Sequence, residues 1–295
     1  MLDSRVEART LITGLVAAPA GGARANWLAV AQQFLRKEFR IWLGYGSLML
    51  LNLVEIGLLV GTYYFLGALI PNDAVDLYRT DFFSFVLVGI VTHQFAYGVF
   101  QAADSGTYRE QVWGTLESVL VCPLSPWRYA LGNYLWQFVY SCLYTVLALW
   151  LGVLLLGTRI VLTFDSVLVT LLFAVLLVMA HLGLGLATMG ILLINKAASP
   201  LATVIDWTQR LLCGVFYPLA VIPSSLQLVA KFFPLTYGLD AIRRVLLAGE
   251  GLTSPEVGRD LCWLLVFSAV LLPAGAGVLI HLYSRARKAG TLGQY

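Results

Sequence analysis

Residues 167–194 read VLVTLLFAVLLVMAHLGLGLATMGILLI, a run with no lysine, arginine, aspartate or glutamate. A helix needs about 20 mostly apolar residues to cross a bilayer, so Val167–Ile194 is long enough. Working outward, five further stretches qualify: Ser47–Ile70, Phe82–Ala103, Tyr129–Leu156, Leu201–Tyr217 and Leu261–Tyr283. The fifth in chain order, Leu201–Tyr217, is the shortest and least apolar. Pro71, Pro126, Pro200 and Pro218 punctuate the ends of the runs, where a missing N–H costs least. The expected fold is all-α, a polytopic membrane protein with six transmembrane helices. Its membrane domain fills residues 26–288, between a flexible cytoplasmic tail at 1–25 and a short one at 289–295.

Composition supports lipid as the solvent. Hydrophobic residues make up 59% of the chain and charged residues 12%, about half the charged share of a soluble domain. Such a chain cannot cover an aqueous surface. Its net charge of +3 is scattered, which argues against a nucleic-acid partner. Cys122, Cys142, Cys213 and Cys262 form no CxxC, and His93, His181 and His281 are isolated. A disulfide framework or a zinc site is therefore not expected. Leu11–Ala20 loosely resembles a signal-peptide core. Asp3 and Glu7 sit where positive charge belongs, and Gly14 and Pro19 interrupt the apolar run, which favours a cytoplasmic tail.

Six spans put both termini on one side. With the termini inside, the cytoplasmic segments hold twelve basic residues and the outer segments six, with Arg210 inside a span. The positive-inside rule then places both termini in the cytoplasm, and a plasma membrane, the bacterial inner membrane, is the expected location.

Two segments are neither spans nor simple loops. In residues 27–41, Trp27, Val30, Ala31, Phe34, Leu35, Glu38 and Ile41 lie near one helical stripe. Gln32, Gln33, Arg36, Lys37 and Arg40 lie largely elsewhere. This reads as a basic amphipathic helix in the membrane interface, with Glu38 blurring the pattern; a solvated helix is the alternative. Pro218–Gly258 contains two apolar stretches too short to span, Leu226–Phe233 and Leu239–Ala248. Two short outer helices, dipping back toward the membrane, fit better.

Charges inside the spans are costly in lipid. Asp206 and Arg210 lie four apart, so their side chains meet on one helix face. They are either a structural pair or a polar patch lining a pathway or a dimer interface. Glu55 has no local partner and is expected to face protein or a polar cavity. His93 and His181 read as bundle hydrogen bonders rather than ligands. Gly57 and Gly61 form a GxxxG step, and Gly183, Gly185 and Gly190 give the fourth span a small-residue face.

The loop between the second and third spans, Asp104–Pro126, reads DSGTYREQVWGTLESVLVCPLSP, with Gly114 breaking its middle. Thr115–Val121 can form a short helix exposing Glu117, and such a loop suits either a binding surface or a plain connector. Residues 114–135, GTLESVLVCPLSPWRYALGNYL, resemble the first cytoplasmic loop of ABC-2-type transporter permeases. Residues 214–249, GVFYPLAVIPSSLQLVAKFFPLTYGLDAIRRVLLAG, resemble that family's signature region. The resemblance implies a dimer of membrane subunits bound to two cytoplasmic ABC ATPase subunits, which carry ATP and Mg. Thr115, Leu116, Glu117, Ser118, Val119 and Leu120 would form the coupling helix seated in the ATPase. Trp27, Phe34, Arg36, Lys37 and Arg40 would belong to the interface helix. Pro218, Pro223, Pro234, Tyr237, Asp240 and Arg243 would belong to an outer helical hairpin. Members of the family export polysaccharides, lipo-oligosaccharides, teichoic acid precursors, drugs or lipids.

The residues agree with the resemblance at one point. A phosphate-binding P-loop needs Gly-Lys-Ser/Thr, and none of Lys37, Lys196, Lys231 and Lys288 follows a glycine. The chain is expected to bind no cofactor and to hydrolyse nothing itself. Two other classes remain: an ion-coupled secondary carrier, which would favour several intramembrane acids and an internal repeat, and an integral membrane enzyme. No GxSxG or HExxH supports the latter.

Overall fold

The computed structural model describes residues 27–44, 46–69, 78, 80–114, 126–158, 160–195 and 200–288, and among these the regular elements are all helical. In chain order they are α1 (Trp27–Gly44), α2 (Gly46–Leu69), α3 (Phe82–Val112), α4 (Pro126–Leu156) and α5 (Phe164–Asn195). There follow α6 (Pro200–Leu212), α7 (Ser224–Ala230), α8 (Pro234–Leu246) and α9 (Pro255–Lys288). Four of them, over Phe82–Ala102, Arg128–Leu154, Phe164–Asn195 and Pro255–Lys288, are long and apolar enough to cross a membrane.

Lipid-facing surface is visible as stripes. On α4, Val139, Leu143, Val146, Trp150 and Leu154 are exposed at helical spacing, and on α5 so are Leu168, Leu171, Leu172, Val175 and Met179. Continuous exposed apolar faces of this size would aggregate in water and are at home in acyl chains. The central helix is α3, whose apolar stretch is 83% buried by the rest of the chain. Its start is fixed by Asp81, which accepts the Ser84 N–H at 2.9 Å and the Ser84 hydroxyl at 2.8 Å, a side-chain N-cap.

Close backbone approach sets the α5–α9 crossing. A Cβ on Gly275 would overlap the Gly183 carbonyl, and one on Gly183 would overlap the backbone at Leu271. Ser268 adds a 2.8 Å hydrogen bond from α9 to the Leu176 carbonyl of α5. The small face expected on the fourth span is thus used for helix packing. By contrast, a Cβ on Gly57 or Gly61 would meet nothing within 4 Å.

Three expectations are corrected. The helix of the second span does not stop at Ala103 but runs to Val112, 31 residues in all. Its polar end persists because Arg109 and Glu110 find charged partners on α1. At 1.5 Å per residue, α3 is about 46 Å long and outreaches the roughly 30 Å hydrocarbon layer. The expected fifth span is not helical to Tyr217: α6 has 13 residues and ends at Leu212, about 20 Å. Gly214, at φ 78°, is in the left-handed region that glycine tolerates, and it turns the chain away. Finally, the apolar stripe of α1 faces protein rather than lipid, with Val30 and Phe34 buried and the Phe34 ring lying where a Cβ of Gly132 would sit.

Where the outer hairpin is expected stand two short helices, α7 and α8, with seven and 13 residues, both too short to span. Pro218 and Pro223 precede the 3-10 turn Leu219–Val221 and α7, and Pro234 opens α8. α7 and α8 sit at one end of the bundle and α1 at the other. Tyr78, Val169, Leu235, Leu239 and Leu264 share one core, while Val30, Phe34, Ala102, Met189 and Leu279 share another.

Candidate functional site

The α1 end is a charged clamp inside protein. Glu38 and Glu110 are 3% and 1% exposed, and unpaired carboxylates so buried would be costly. Lys37 donates to Glu110 and Arg109 donates to Glu38, while Lys37 also lies 3.7 Å from Glu38. The residue that blurred the stripe of α1 is therefore the one that ties it to α3. Phe34 meets Tyr129 edge-on at 6.1 Å, and Phe39, Trp42 and Trp136 form a three-ring cluster joining α1 to α4. Asp104 and Gln111 are also buried here, and Asp104 Oδ1 and the Gln111 amide lack hydrogen-bond partners. Burial pushes the Asp104 carboxyl up to about 6. This clamp sits directly before residues 115–120, which lie outside the described residues, as does the side chain of Trp27.

Midway along α3 is a polar cluster. Arg210 Nε donates to Asp206 Oδ1 at 3.1 Å, as the four-residue spacing predicts. His93 Nε2 lies 3.1 Å from the same oxygen, a contact not aligned as a hydrogen bond. His181 Nδ1 is 2.9 Å from the Leu177 carbonyl and its Nε2 is 3.3 Å from the Gln209 amide. His181 is thus a bundle hydrogen bonder, while His93 makes a close polar contact with Asp206. The Arg210 guanidinium also lies over the rings of Tyr97 and Trp207, 5.8 Å from each centroid. Spacing within α6 revealed the Asp206–Arg210 pair; nothing local in sequence revealed that His93 joins it from α3.

Glu55 is exposed on α2 among Leu51, Val54 and Leu58, and no described residue covers it. Its charge reaches Tyr140 and Tyr144 of α4.

The hairpin end is held by Arg243. It falls in a segment expected on the outer side, yet it is 2% exposed. Its guanidinium donates to the carbonyls of Gly214 and Val215, each at 2.7 Å, and of Phe85 at 3.1 Å. It also lies 3.5 Å from the Phe85 ring centroid. Arg243 thereby satisfies the carbonyls freed where α6 breaks and fastens them to α3. Burial pulls the guanidinium down to about 9, and it stays charged at neutral pH. One turn earlier, Asp240 accepts from Tyr78 at 2.5 Å and from Arg244 at 2.9 Å. Burial raises the Asp240 carboxyl, but these donors outweigh it and hold it below its ordinary value. Tyr237 stacks on Trp263 at 5.7 Å and donates to the Lys231 carbonyl at 3.1 Å.

No group of three or more His, Cys, Asp or Glu suited to a metal ion occurs among the described residues. A helical bundle with exposed apolar stripes, a charged clamp at one end, two short helices at the other and a polar cluster between is the architecture of a multi-pass membrane protein. Residues 25–247 match the profile of the ABC-2 type transporter family, and the chain belongs to that family. No curated protein gives a significant match to the chain.

Proposed function

We propose that this chain is the permease subunit of an ATP-binding cassette exporter, crossing a plasma membrane six times with both termini cytoplasmic. Two copies form the pathway, and two separate ABC ATPase subunits supply the energy. Residues 115–120 seat on the ATPase, and α1 braces them. The observation that carries this reading is the geometry of α3. One end bears the ion-paired clamp beside the coupling segment, and the other gives its Phe85 carbonyl to Arg243 of the hairpin. Twenty-five residues separate Phe85 from Glu110, about 38 Å of helix. A rigid, protein-enclosed helix of that length is suited to carry a nucleotide-driven shift from one membrane face to the other.

A second copy accounts for the uncovered acid. Glu55 would be unfavourable against acyl chains; Gly57 and Gly61 lie about 160° and 120° round α2 from it, so a partner encloses the acid only by covering the whole exposed side of the helix, from Glu55 past Leu58 to Gly61. A homodimer covering α2 gives Glu55 a protein or pathway environment. An ion-coupled carrier is less well supported, because Asp206 is already engaged by Arg210 and His93.

The test is copurification of the full chain with an ABC ATPase from the same cell, followed by vanadate-sensitive ATP hydrolysis and ATP-dependent transport in vesicles. Glu117→Lys should insert normally and lose ATPase association. Normal coupled transport in that variant would remove Glu117 from the coupling surface, and a chain that moves substrate without any ATPase would overturn the exporter reading.

A further inference from the structure

Four cations surround α1, and burial divides them into two pairs. Lys37 and Arg109 are spent inward on Glu110 and Glu38. Arg36 and Arg40 are exposed, and neither makes an ion pair or hydrogen bond among the described residues. At 100° per residue, Arg36, Phe39, Arg40 and Leu43 fall within one arc of about 100°, opposite Phe34 and Glu38. Phe39 and Leu43 are 48% and 55% exposed, so this arc alternates bare apolar groups with unpaired guanidiniums.

Such a face suits neither water nor hydrocarbon. It suits the headgroup layer, where apolar side chains enter the acyl boundary and guanidiniums meet phosphates in their matching fork geometry. Two further observations set that depth. Phe39 belongs to the ring cluster with Trp42 and Trp136, and amphipathic aromatic rings concentrate at the membrane–water boundary. One turn on from Trp136, and about 60° round α4 from it, the exposed Val139 begins that helix's lipid-facing stripe. The arc of α1 is therefore continuous with surface already facing lipid. Arg285, Arg287 and Lys288 of α9 are exposed at the same end of the bundle, and Leu279 of that helix shares a core with Val30 and Phe34.

We propose that Arg36 and Arg40, flanked by Phe39 and Leu43, form a binding surface for anionic phospholipid headgroups. An acidic protein surface would also attract the cations, but it would leave the continuity with the α4 stripe without a role. This inference goes beyond the exporter reading and does not require the ATPase.

The test uses the full chain in mixed micelles. Brominated phosphatidylglycerol or brominated phosphatidylcholine is titrated in, and tryptophan quenching gives relative binding constants. Wild type should prefer phosphatidylglycerol, with the preference shrinking as salt rises. Each cation near an anionic lipid surface is worth about fivefold in binding, so Arg36→Gln with Arg40→Gln should weaken phosphatidylglycerol binding about thirtyfold. Phosphatidylcholine binding should stay the same. Both residues are exposed, so the variant should keep its helical content and elution volume. Unchanged phosphatidylglycerol preference in the folded double variant would overturn the proposal. So would equal competition by inorganic phosphate, which would mark a free-anion site. Wild-type lipid binding combined with lost ATPase association would assign the two cations to the protein partner instead. Should the chain show this lipid preference yet copurify with no ATPase, the lipid surface would stand and the exporter reading alone would fall.

Discussion

Arg243→Met removes the guanidinium that donates to three buried carbonyls. Gly214 and Val215, outside any helix, would lose donors at 2.7 Å each, while Phe85, at 3.1 Å, lies inside α3 and keeps its place in the helical ladder. A buried acceptor left unpaired costs about 1–3 kcal/mol, and some of that sum is recovered because a buried charge is also removed. A net loss on the order of 3 kcal/mol remains, and it falls on the joint between α6, α8 and α3. The joint carries its own reporter, since Cys213 is 3% exposed and sits beside Gly214. With Cys122, Cys142 and Cys262 replaced by Ser, maleimide labelling of Cys213 should reflect how often the joint opens. A 3 kcal/mol loss raises the open population at least about a hundredfold, and labelling should accelerate by that factor. Arg243→Lys should lie between, because an ammonium reaches fewer of the carbonyls than the guanidinium fork. Arg244→Met is the control, since its Asp240 and Glu250 partners are partly exposed and such pairs are worth about 1 kcal/mol or less. Wild-type labelling in a folded Arg243→Met variant would refute the capping argument.

Other expectations follow from the same geometry. Glu38→Arg or Arg109→Glu alone should lower the melting temperature and uncouple ATP hydrolysis from transport. The double swap should restore both if the pair acts as a clamp, and failure to restore either would assign the two residues separate roles. Gly275→Val should block folding, because its side chain would occupy the space of the Gly183 backbone. Gly57→Ala should leave the fold intact, and any defect should appear in dimerisation, read by crosslinking. Asp104, two residues beyond the apolar stretch Phe82–Ala102, ionises near 3.8 when unfolded, and burial raises it to about 6 in the fold. Stability should therefore fall as pH climbs from about 4 to about 6, and stay reduced above that range. Asp104→Asn should melt higher than wild type at neutral pH, by the equivalent of about 1–2 kcal/mol after allowing for solvent screening, and equally at pH 4; a higher melt at pH 4 would contradict the assignment.

Sequence by itself determined that this is a helical membrane protein, because apolar runs such as Val167–Ile194 leave lipid as the fitting solvent and helix as the backbone state that satisfies itself in it. It also located the hairpin through Pro218, Pro223 and Pro234, and the Asp206–Arg210 pair through helical spacing, since these features are local. Tertiary structure decided what depends on residues distant in the chain. Glu38, an irregularity on its own helix, becomes a clamp only because Arg109 arrives from α3. Arg243, indistinguishable in sequence from its neighbour Arg244, is buried because the break after Leu212 exposes carbonyls within its reach. Local periodicity records which side chains share a face; burial and charge pairing depend on what the folded chain brings opposite that face.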